Sequence, residues 1–193
     1  MSRRKRTLAA GAAFITLFAG YEYGDASGCK PASIDARRTP LAELKAIPVV
    51  DAPLGDAEDP VRILAEVRYR QSRLIAYVNG DSCGIVATSE EHSEKQHIHL
   101  MSKWPAGGEG TADYPAGPYN SASTAGGPAA WASMLCSKNA MVIEYTSEQD
   151  DGPELTRGQV TVTQERNTPP SSRIVIAGAG TRRQIENHYA RGL

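Results

Sequence analysis

Aromatic side chains are scarce in this 193-residue sequence, at 6%, with two Phe and two Trp. A core built from it must rest on aliphatic residues and a few tyrosines. No excess of positive charge is present either, with 21 Lys and Arg against 22 Asp and Glu. The basic footprint of a nucleic-acid binder is missing, and no nucleic acid partner is expected. The longest apolar run, Leu8–Gly20, has 13 residues, whereas a membrane-spanning helix needs about 20. There are three cysteines and no Cys-x-x-Cys, which excludes a dithiol redox motif. No Gly-x-Ser-x-Gly elbow occurs. In Gly80-Asp81-Ser82-Cys83-Gly84 the serine sits at the wrong spacing for a nucleophile elbow. Gly178-Ala179-Gly180 is half of a dinucleotide-binding turn, but Arg183 stands where the third glycine belongs.

What the sequence does have begins at its N-terminus. Arg3, Arg4, Lys5 and Arg6 precede the uncharged run Leu8–Gly20. A basic region followed by an apolar one of this length is the pattern of a secretory signal, and residues 1–28 are read as one. Ser2-Arg3-Arg4 also hints at a twin-arginine address. Ala26-Ser27-Gly28-Cys29 resembles the lipobox of bacterial exported lipoprotein precursors. In that family small residues precede a cysteine that is acylated and becomes the mature N-terminus. The resemblance covers the signal segment alone. It implies a lipid anchor on Cys29 and residence on the outer face of the cell membrane. Ordinary cleavage after Ala19 or Ala26, giving a secreted protein, is the alternative.

The remaining cysteines fit that implication. An odd cysteine count in an exported protein calls for an explanation. Acylation of Cys29 leaves Cys83 and Cys136, which an oxidising compartment would pair. Closing a loop of about 54 residues contributes roughly 4 kcal/mol in the chain-entropy account. Residues 29–193 carry a net charge of about −3 once the four cations and two anions of the signal are removed, and they suffice for one domain with an ordinary core.

Residues 29–57 contain Pro31, Pro40, Pro48 and Pro53 with little periodicity and are read as a tether, with a short helix over 40–47. The domain is expected over 58–193. Val61–Arg70 alternates apolar and polar residues, except at Leu64, as a half-buried strand does. Asn79-Gly80 marks a tight hairpin between strands at 73–78 and 82–88. Further strands are expected at 96–104, 140–146, 159–165 and 173–177. Short helices are expected at 128–135 and 181–190. Residues 105–127, rich in Gly, Pro, Ala and Ser, read as a functional or disordered loop, with composition favouring disorder. The fold class is mainly β: an antiparallel meander forming a small sandwich or barrel-like sheet with short helices.

His97 and His99 stand two apart on the expected fourth strand, so they face one side and form a candidate metal pair. Zinc is the metal such imidazoles would suit, given a third ligand, and Glu90, Glu91 and Glu94 lie close in sequence. The competing reading is a solvated strand edge with no cofactor. Arg62, Arg68, Arg70 and Arg73 form a basic row, read as the solvated face of an edge strand. The function that best fits is an exported, lipid-anchored cell-envelope protein whose β domain binds a small-molecule ligand or a protein without catalysis. The alternatives are a metal-dependent hydrolase centred on His97 and His99, and a secreted protein-binding or inhibitory module.

Overall fold

The computed structural model describes residues 38–54, 61–89, 96–104, 119–124, 130–148, 152–166 and 169–191. Ten strands are described: β1 (Arg62–Arg68), β2 (Ser72–Asn79), β3 (Ser82–Ser89), β4 (Gln96–Lys103), β5 (Tyr119–Ser123), β6 (Ala130–Cys136), β7 (Ala140–Ser147), β8 (Leu155–Gly158), β9 (Val160–Glu165) and β10 (Ser171–Ala177). A helix, α1 (Ala179–Ala190), comes after them. They form two antiparallel five-stranded sheets, ordered β4-β3-β2-β1-β8 and β5-β6-β7-β10-β9. The sheets face one another as a small β-sandwich, the mainly β class expected from the sequence.

Alternation explains the core. Leu74, Ala76 and Val78 of β2, Cys83, Ile85 and Ala87 of β3, and Ile98 and Leu100 of β4 point inward from the first sheet. Ala132, Met134 and Cys136 of β6, Met141, Ile143 and Tyr145 of β7, and Ile174 and Ile176 of β10 meet them from the second. Leu64, the residue that broke the alternation, lies in a bulge: Ile63 pairs with Tyr77, and Ala65 with Ala76. One extra residue on β1 restores the inward phase beyond it. The Cys83–Cys136 disulfide joins β3 to β6, and so one sheet to the other.

Each end of the core is closed by its own device. At one end a single 3-10 turn, Leu41–Glu43, pushes Leu41 and Leu44 into the core, both buried. The Leu41 N–H donates to the Lys138 carbonyl between β6 and β7 (2.8 Å), and the Ile47 N–H to the Ile63 carbonyl (2.9 Å). Over 38–54, a stretch whose prolines suggest a tether, the chain is therefore fastened to the sandwich. At the other end Tyr69 and Tyr145 pack ring to ring at 5.1 Å, and the Tyr145 hydroxyl donates to Ser72 Oγ (2.8 Å).

Several expectations are corrected. Residues 130–136 form β6, not a helix. The sequence Ala-Trp-Ala-Ser-Met-Leu-Cys contains good helix formers, but pairing with both β5 and β7 overrides local propensity. Tyr119–Ser123, inside the low-complexity stretch, forms edge strand β5. β8 has no counterpart among the expected strands; it pairs with β1 and hands the chain to β9 through Gly158, at φ 101. A side chain at Gly158 would collide with the Leu64 carbonyl. The β2–β3 tip is Gly80-Asp81, one residue later than Asn79-Gly80 suggests, because Asn79 pairs with Ser82. α1 starts at Ala179, with Thr181 inside its first turn and not at the cap.

Leu41→Ala should lower unfolding free energy by about 2–5 kcal/mol, the usual range for emptying a buried leucine site. Urea denaturation of the oxidised protein measures it. An unchanged midpoint would mean that the segment does not cork the core.

Candidate functional site

The outward face of the first sheet carries the chemistry. On β1, Glu66 points away from the inter-sheet core, yet its side chain is fully buried. Three guanidinium groups surround it. Arg68 Nε and Arg73 Nε each lie 2.8 Å from Oε1, and Arg157 Nη1 lies 3.0 Å from Oε2. The register explains the convergence: Glu66 stands opposite Ile75 of β2 and opposite Arg157 of β8, while Arg68 pairs with Arg73. Burial pushes the Glu66 carboxyl up. The Arg68 hydrogen bond, the charges of Arg73 and Arg68 and the Arg157 hydrogen bond outweigh it, so the group sits below the usual carboxylate range.

The arginines also reach outward to main chain. Arg73 Nη2 donates to the Val50 carbonyl (3.0 Å), Arg157 Nη2 to that of Pro48 (2.9 Å), and Arg62 Nη2 to that of Leu44 (2.9 Å). The basic row read as a solvated edge is thus different in kind. β1 lies between β2 and β8, and three of the four arginines in that row are engaged with Glu66 or with the segment crossing the sheet. The pattern of charges in one strand gives no sign of this, because Arg157 comes from 91 residues away.

One step along the same face, Tyr77 lies across Gly84, where a β-carbon would strike its ring. Its hydroxyl reaches His99 Nε2 at 2.6 Å. Burial raises the Tyr77 phenol above its ordinary value. His99 is exposed and lies near Met101, whose side chain is 55% exposed. On neighbouring β5, Tyr119 is 58% exposed. Asn120 Nδ2 ties the two strands, donating to the Met101 carbonyl (2.9 Å) and to Ser102 Oγ. His99, Met101 and Tyr119 therefore border the seam between the two sheets.

The candidate metal pair meets this geometry halfway. His99 lies on the outer face as its position in β4 implies, but its Nε2 is taken by Tyr77. The His97 side chain, His92, Glu90, Glu91 and Glu94 lie outside the described residues. Among the described residues, no group of three or more His, Cys, Asp or Glu comes together as a metal site. Cys29, the candidate for lipidation, also lies outside them. Cys83 and Cys136 are brought together in the disulfide, at a Cα separation of 6.5 Å.

Glu66→Gln should cost about 3 kcal/mol or more, because it strands three buried or half-buried cations. The sign with pH is set by the lowered carboxyl. Its stabilisation is present above the usual carboxylate range and lost as pH falls through the depressed value. Urea unfolding across the acid range should give a wild-type curve that converges on that of Glu66→Gln as pH falls. Parallel curves would exclude the ionised clasp. Tyr77, in turn, should ionise at higher pH than the exposed tyrosines in an ultraviolet titration of the native protein.

No protein-family model matches the chain, and no curated protein sequence and no solved structure matches it.

Proposed function

We propose that this protein is exported and held on the outer face of a cell membrane by a lipid on Cys29, where its β-sandwich binds a ligand or protein partner without catalysis. The observation that carries the reading is the Cys83–Cys136 disulfide across the two sheets. Such bridges persist in oxidising compartments. With those two cysteines paired, Cys29 is the one left over, directly behind small residues and an apolar signal run. The pairing and the acylation are thus one joint statement about three cysteines.

The binding half of the reading rests on the seam at β4 and β5. Met101 and Tyr119 expose apolar surface on neighbouring strands, flanked by the His99 imidazole with its second ring nitrogen directed away from Tyr77. Apolar side chains beside a fixed polar group are a usual composition for a contact surface. Among the described residues no group of three or more His, Cys, Asp or Glu comes together around His99, and this favours the binding reading over metal-dependent hydrolysis, which needs a third ligand.

Intact mass of the envelope-extracted protein tests the anchor: the mature chain should start at an acylated Cys29 and show no free thiol after denaturation. Cys29→Ser should release the protein from the membrane fraction. A mature species carrying Cys29 as an internal, unmodified residue would sink the anchor. For the binding face, a photo-reactive side chain at position 101 should give a discrete cross-linked adduct in intact cells, absent when the same group stands at position 166. Identical patterns at both sites would remove this face as the contact.

A further inference from the structure

The sandwich has two chemically different ends. At one, the chain enters at Arg38 and Thr39. Thr39 lies against Gly178, whose built β-carbon would come 3.1 Å from Thr39 Cβ. Gly178 is the residue before α1, so the first turn of the helix, with Arg182 and Arg183, sits beside the entry point. Leu41 binds the Lys138 carbonyl there, which adds the turn between β6 and β7. Arg38, Lys45, Lys138, Arg182 and Arg183 therefore gather at this end, against Glu43 and Glu186. Lys103 and Asp81, at the same end, face each other at 3.8 Å and offset one another. Lys138 and Arg183 are exposed and Arg182 is half-buried. Among the described residues, none of Lys138, Arg182 and Arg183 forms an ion pair. The positive end of the α1 dipole points the same way. At the opposite end, among the described residues, exposed Glu148 and Glu154 are matched by exposed Arg70 and Arg166, so no comparable excess of cations stands there.

We propose that the basic end is a membrane contact, which seats the domain on anionic lipid headgroups. The inference rests on the reading that Cys29 carries the anchor. Eight residues, 30–37, separate Cys29 from Arg38. A fully extended chain covers at most about 3.3–3.6 Å per residue, so the entry point stays within roughly 30 Å of the anchored residue. The entry point is also where the unpaired cations Lys138, Arg182 and Arg183 lie, so the anchor delivers the basic end to the surface and not the opposite one. Each Lys or Arg brought to an anionic leaflet favours attachment by about fivefold, within a Debye length of about 8–10 Å.

Lysine footprinting with an amine-reactive ester tests this on the full chain. The protein is held on vesicles of phosphatidylcholine, with or without about one third phosphatidylglycerol. Labelling of Lys138 should fall about fivefold or more on the phosphatidylglycerol vesicles only, and recover in about 1 M salt, where the Debye length is near 3 Å. Arg182→Glu with Arg183→Glu should abolish that protection. Arg70→Glu with Arg166→Glu, at the far end, should leave it in place. Equal labelling of Lys138 on both lipids overturns the proposal, as does equal loss of protection from the far-end pair. The salt arm uses wild-type protein, so the test does not depend on how the variants fold. The mass of Cys29 is read separately. Lost protection with an acylated Cys29 defeats this proposal alone, whereas protection with an unmodified Cys29 defeats the anchor alone.

Discussion

A carboxylate with no exposed surface, Glu66, is the constraint around which the first sheet is organised. A buried charge is costly unless it is paired and hydrogen-bonded. Glu66 is matched by three guanidinium groups from β1, β2 and β8. Each of those strands contributes one arginine, so the pairing of β1 with both neighbours has to be in register for the charge to be met. The clasp leaves an excess of two positive charges. Part of that excess is directed to the carbonyls of Pro48 and Val50. The consequence reaches beyond the sheet: main chain with few ladder hydrogen bonds of its own is fixed by side chains that are already fixed by Glu66.

This chain of dependence explains why residues 38–54 belong with the sandwich. Leu41 and Leu44 fill one end of the core, and the arginines hold the stretch from Pro48 to Asp51 across the outer face. The opposite end is closed by the Tyr69–Tyr145 pair and the Tyr145–Ser72 hydrogen bond. Between the two sheets the Cys83–Cys136 bridge is the covalent fastening. On the second sheet's outer face, Arg173 performs a smaller version of the Glu66 arrangement. It pairs with Glu165 and lies within 3.8 Å of Glu144, and its guanidinium carbon sits 3.5 Å from the centroid of the Tyr189 ring. A cation over an aromatic face is favourable, and here it draws the end of α1 onto the sheet.

How much of this is legible in the sequence depends on range. Period-2 alternation locates β1, and short apolar runs bounded by turn residues locate β2, β3, β7 and β10, of which β2 and β3 are buried on both faces. The fault in the alternation at Leu64 is itself information, since it marks a bulge. β6 is hidden by residues with good helix propensity, and β8 by being four residues long with a single partner strand. β5 lies within a Gly- and Pro-rich stretch whose composition argues against any element. The Glu66 clasp is not readable from sequence, because its third arginine is remote and nothing local distinguishes Glu66 from the other acidic residues on strands. The same holds for Tyr77 and His99, which are 22 residues apart and meet only because Gly84 leaves room between them.

The three cysteines illustrate how local and long-range information combine. Counting ties Cys83 to Cys136 only once Cys29 is set aside by the lipobox resemblance, and the register shows why that pairing is geometrically available: β3 begins and β6 ends at the same end of the sandwich, Cys83 one residue into its strand and Cys136 the last of its own. That is also the end corked by Leu41 and Leu44 and bordered by the first turn of α1. The covalent bridge, the buried cork and the entry of the described chain at Arg38 therefore converge on one pole. A pull applied at Arg38 would act where the two sheets are bonded to each other, not on an unsupported strand. A domain built this way can be held by its N-terminal side while its lateral seam, with Met101 and Tyr119, remains open to make contacts.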